Sequence, residues 1–124
     1  MRRGFRNIHN SFTVDVYTSP GTSQEKQTGL SNKSSLPQNE GMVFPFNKAD
    51  YYSFWMKDMK FPIDIIYLKD KKIVTIFENV LPQSSDQNPE ILNPEEPSDT
   101  VLEINAGLAR KYNLKKGDII RLNL

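Results

Sequence analysis

The chain has 124 residues, which fits one domain of the usual ~100–200 residues. Sixteen basic residues against 15 acidic ones leave a net charge of +1; with no surplus to neutralise phosphates, a nucleic-acid partner is not expected. Cysteine is absent and His9 is the one histidine, which excludes disulfides, thiolate metal sites, thiol nucleophiles and multi-histidine metal centres.

No apolar run approaches the ~20 residues of a membrane span. Met1-Arg2-Arg3-Gly4-Phe5-Arg6 has the charge of a leader's first region, but Asn7, His9, Asn10 and Ser11 interrupt any apolar stretch after it. Residues 1–11 read as an N-terminal tail and 12–124 as a single domain. The expected location is cytoplasmic if this start is native and extracytoplasmic if a leader has been removed.

In chain order, Phe12-Thr13-Val14-Asp15-Val16-Tyr17 alternates apolar and polar, as a half-buried strand does. Thr22-Ser23-Gln24-Glu25 fits a capping box, and Gly29-Leu30 a left-handed end, so a short helix is expected between them. Gly41-Met42-Val43-Phe44 and Tyr52-Ser53-Phe54-Trp55-Met56 read as strands, with Pro45 at a strand end or edge. Ile63-Asp64-Ile65-Ile66-Tyr67-Leu68 is apolar on both faces and so central. Lys69-Asp70-Lys71-Lys72 turns it into Ile73-Val74-Thr75-Ile76-Phe77, a hairpin whose turn has no glycine.

Residues 82–99 hold Pro82, Pro89, Pro94 and Pro97, half of the chain's 8 prolines, and few apolar residues beyond Ile91 and Leu92. So long a loop is usually functional or mobile. Thr100-Val101-Leu102-Glu103-Ile104 reads as a strand, and Asn105 as the cap of a helix over 106–112. Asn113 suits a left-handed helix end with Leu114 folded back, and Lys116-Gly117-Asp118 turns into a last strand at Ile119-Ile120-Arg121-Leu122. The sum is a mainly β domain: a small antiparallel sandwich or partly closed barrel of about seven strands, with two short peripheral helices.

Several landmarks fall in one order: Gly29-Leu30; Leu36-Pro37 before Glu40-Gly41-Met42-Val43-Phe44; Phe54-Trp55-Met56-Lys57 before Pro62-Ile63-Asp64-Ile65; Glu78-Asn79-Val80 before Pro82; and Val101-Leu102-Glu103 before Ala106-Gly107 and Gly117-Asp118. This pattern resembles the DUF192 family, a domain of unknown function, from Phe12 to Leu122. The resemblance implies a compact, mainly β fold of sandwich type and no established activity. Two departures stand out: Asp58 replaces the family's usual asparagine, and the cysteine often found after the proline matching Pro82 is missing.

Five residues are candidates for chemistry. Trp55 and Lys57 share a strand face, where they make either an aromatic edge beside a surface cation or a stacking platform with an anion contact. Asp64 shares a face with Ile66 and Leu68, so a buried carboxylate is expected to have a partner, either Lys57 or backbone amides. Glu103 or Glu78 could meet Asp64 as a carboxylate pair, the minimum for acid–base hydrolysis. The loop acids Asp86, Glu90, Glu95, Glu96 and Asp99 have no metal-ligand spacing, so no metal or cofactor is expected. Without a cysteine or a usable histidine, the balance favours a non-catalytic binding protein for a small polar ligand, peptide or saccharide. A hydrolase using Asp64 with Glu103 or Glu78, or a purely structural accessory protein, are the alternatives.

Overall fold

The computed structural model describes residues 2–7, 14–18, 35, 40–55, 59–83 and 91–123. Its strands are β1 (Arg2–Asn7), β2 (Val14–Thr18), β3 (Glu40–Asp50), β4 (Phe54–Trp55), β5 (Ile63–Lys69), β6 (Lys72–Val80), β7 (Ile91–Leu92), β8 (Ser98–Asn105) and β9 (Ile120–Asn123). One short helix, α1 (Leu108–Lys111), follows β8. The expected helix over 22–29 lies outside the described residues. Residues 1–11 are not all tail: β1 pairs with both β2 and β9.

The strand order is β6-β5-β8-β3-β2-β1-β9, with β4 and β7 forming a separate two-stranded sheet. The β6-β5-β8-β3 part is antiparallel throughout, whereas β2 runs parallel to β3. The sheet is not closed by a ladder. Among the described residues its two edges meet at one isolated bridge, Lys72↔Ile119.

Every residue of β5 from Ile63 to Leu68 is buried, as its apolar composition requires of a strand covered on both sides. Alternation then sorts the core into two clusters. Ile66, Leu68, Leu102 and Ile104 face one way and meet Leu108, Ala109 and Leu114 from the helical end. Ile63, Ile65, Tyr67, Val101 and Phe44 face the other way, where Phe61, Met59, Tyr52 and Leu92 cover them. Ile66 is wholly buried, so Ile66→Ala should cost about 2–5 kcal/mol in denaturant unfolding. A loss below ~0.5 kcal/mol, typical of surface changes, would contradict a central β5.

Pro45 is exposed and lies past Val43, the last β3 residue that β2 reaches. The missing amide therefore leaves no gap on that side. The β5–β6 hairpin closes on the pair Lys69↔Lys72, with Asp70 at φ 50° and Lys71 at φ 69°. Two successive left-handed residues make a type I′ turn, whose twist matches the strands even without glycine. Lys71→Gly gives the favoured Asp-Gly sequence and should stabilise by about 0.5–1 kcal/mol, read as a higher unfolding midpoint.

α1 ends as its sequence suggests. Asn113 has φ 55°, its N–H donates to the Arg110 carbonyl at 3.1 Å, and the Leu114 N–H reaches the Ala109 carbonyl at 2.8 Å. This pair of bonds is a Schellman closure. The helix start differs from expectation. Gly107, at φ 96°, occupies the capping position and no side chain caps from it. Glycine takes that left-handed conformation without a Cβ penalty, and Asn105 stays in β8.

Candidate functional site

Asp64 stands where β5, β6 and the start of α1 converge. Its Oδ1 accepts the Asn79 N–H at 2.8 Å. Its Oδ2 accepts the Gly107 N–H at 3.1 Å and the Ala109 N–H at 2.9 Å. The pairs Ile63↔Val80 and Ile65↔Phe77 leave Glu78 and Asn79 opposite Asp64 alone. This bulge, with Asn79 at φ 50°, turns an amide inward. Asp64 has no exposed surface and both oxygens are occupied, so it ties the helix start to the sheet and offers nothing to a ligand. Among the described residues no cation pairs with it; Lys57 lies outside them.

Glu103 is the opposite case. It stands opposite Ile65 on one side and Met42 on the other, which places it on the sheet face away from Asp64. It is 5% exposed, and burial pushes its carboxyl pKa up to about 8. Among the described residues no hydrogen bond or ion pair reaches that carboxyl. Burial, and secondarily the charge of Glu103, also raises the Tyr67 hydroxyl. Glu78 is exposed at the bulge. Neither candidate carboxylate pair is joined by a hydrogen bond among the described residues: the register puts Glu103 on the other sheet face from Asp64, and both Asp64 oxygens accept from backbone amides.

Trp55 lies in β4, opposite Ile91 of β7. Leu92, next to Ile91, packs on the Ile65–Tyr67 face, so the small sheet is a cover on the central strands. The segment after it continues across them. Pro94 is buried, and the Glu95 N–H donates to the Thr75 Oγ1 at 3.2 Å. The Ser53 hydroxyl donates to the Asn93 Oδ1 at 2.7 Å. Lys116 binds Glu95 at 3.5 Å and Glu96 at 3.1 Å. Glu95 and Glu96 thus tie the second half of the long loop to the turn before β9, although such exposed pairs contribute little each.

Between that segment and the sheet edge runs a groove of about 350 Å³, lined by residues 74–77 of β6 with Asn93, Glu95 and Lys116. Its lining joins the apolar Val74, Ile76 and Phe77 to a hydroxyl, an amide, a carboxylate and an ammonium. No local signal in the sequence marks Thr75 or Lys116, because the groove forms from segments far apart in the chain. Among the described residues no group of three or more metal-ligating side chains gathers, and no helix is long and apolar enough to cross a membrane.

The model of the family DUF192, described as an uncharacterized ACR, matches residues 6–122. Two solved structures are similar. A candidate transcription regulator from Sinorhizobium meliloti 1021 is 26% identical with a TM-score of 0.86, over 98% of this chain and 93% of that one. A protein of unknown function from Novosphingobium aromaticivorans DSM 12444 is 30% identical with a TM-score of 0.84, over 98% of this chain and 84% of that one. No curated protein matches the chain significantly.

Proposed function

We propose a non-catalytic binding role for this chain, which belongs to the DUF192 family. The observation that carries the reading is the groove between β6 and the 93–95 segment. Asn93 and Glu95, from the long segment after Pro82, supply two of its polar walls. Trp55 and Lys57 stay proposed ligand contacts on their chemistry, an aromatic face and a cation. Asp64 leaves that set, since three backbone amides occupy it.

The hydrolase alternative requires two carboxylates across one cleft, and the register that separates Asp64 from Glu103 argues against it. Nucleic-acid binding, which the Sinorhizobium neighbour's description suggests, gains no support from a net charge of +1. For the fold itself we favour the partly closed barrel over the sandwich, because the Lys72↔Ile119 bridge brings the sheet's two edges together.

The test is a titration of the isotope-labelled protein with dipeptides, free amino acids and disaccharides, followed by amide NMR. Saturable shifts at residues 74–77, Asn93, Glu95 and Lys116 are expected for at least one class. If none of the three classes moves these amides, the binding reading fails.

A further inference from the structure

β6 is the last strand on its side of the sheet, and alternate residues of an edge strand turn their N–H and C=O groups outward. Part of that edge is already used. The Ile73 N–H donates to the Asp118 carbonyl at 2.8 Å, and the Gly117 N–H donates to the Ile73 carbonyl at 2.9 Å. The chain then turns away into β9, leaving the edge from Val74 to Phe77 to face the groove. Val74-Thr75-Ile76-Phe77 has no charge and no proline, two of the devices that normally blunt an edge. Its one irregularity, the extra residue near Val74, lies at the end where Gly117 and Asp118 already pair. Glu95 and Lys116 both line the groove, but Lys116 lies nearer to Glu96, outside it, at 3.1 Å than to Glu95 at 3.5 Å, so the exposed Glu95 carboxylate is only partly neutralised and can take a second cation.

We propose that this groove takes an extended peptide, added as a further strand along Val74–Phe77, with a lysine or arginine of the peptide against Glu95. Main-chain pairing supplies the binding, as in other strand-addition sites, and the Glu95 carboxylate the selectivity. The proposal rests on the binding reading above and specifies its ligand class.

Three fluorescent hexapeptides of alternating valine and threonine test it: one with a central lysine, one with a central glutamate, and the lysine peptide N-methylated at alternate amides. The lysine peptide should shift the amides of residues 74–77 and bind about tenfold more tightly than the glutamate peptide, a difference of about 1.4 kcal/mol. N-methylation should abolish binding. Glu95→Lys, at a side chain 73% exposed and outside the core, should reverse the preference. Equal binding of the N-methylated peptide would overturn strand addition, and equal binding of the glutamate peptide would overturn the Glu95 contact. If disaccharides or free amino acids shift residues 74–77 while no peptide does, the peptide proposal fails and the binding reading stands. If nothing shifts them, both fail.

Discussion

Glu103→Gln is expected to stabilise the protein at pH 8 and above and to leave it nearly unchanged at about pH 4.5. Burial pushes the folded carboxyl from 4.5 up to about 8, so the native state keeps a proton that the unfolded chain releases. Between those two values the unfolded state binds fewer protons, and stability falls as pH rises, by up to about 1.4 kcal/mol per unit. Below about 4.5 both states are protonated, and above about 8 both are ionised, so the curve is flat at each end. Glutamine has the shape of the neutral carboxyl and does not titrate. The variant's advantage should therefore grow through this window to several kcal/mol. Denaturant unfolding of both proteins at pH 5, 7 and 9 measures it. Parallel pH dependences would show that Glu103 does not hold its proton on folding.

β5 was legible because an unbroken apolar run can only sit where both faces are covered, and Ile63–Leu68 does. The Asn113–Leu114 helix end was legible for a local reason, since the residues that make the closure are neighbours in the chain. β1 was not. Arg2-Arg3-Gly4-Phe5-Arg6-Asn7 has a tail's composition, and its extended form depends on β2 and β9, partners that local periodicity cannot reveal. The candidate site divides the same way. That Asp64 needs a partner follows from one strand, but whether Glu103 joins it depends on register between strands. A slip of one residue exchanges the faces. The register puts Glu103 beside Ile65. The Asn79 bulge and the Gly107 turn, which bring the amides to Asp64, are likewise tertiary outcomes.

Asp64→Asn should cost about 2–3 kcal/mol, because it puts a buried side-chain NH₂ against a backbone donor. An ionised carboxylate only accepts, and here it meets three backbone N–H groups with no exposed surface of its own. Asparagine has one oxygen to offer. Aimed at Gly107 and Ala109, that oxygen keeps the helix start but turns the amide NH₂ against the Asn79 N–H. Aimed at Asn79, it leaves two donors of the helix start unanswered. The bonds along α1 cannot compensate, since a helix of 4 residues is too short to stand without its tertiary anchor. Amide hydrogen exchange should separate the effects, with Asn79, Gly107 and Ala109 losing protection before the β5–β8 ladder does. Lys57→Ala serves as the control. If amides are what holds the carboxylate, its unfolding free energy stays within ~0.5 kcal/mol of the parent's. A loss comparable to that of Asp64→Asn would mean that charge, supplied from Lys57, does part of the holding.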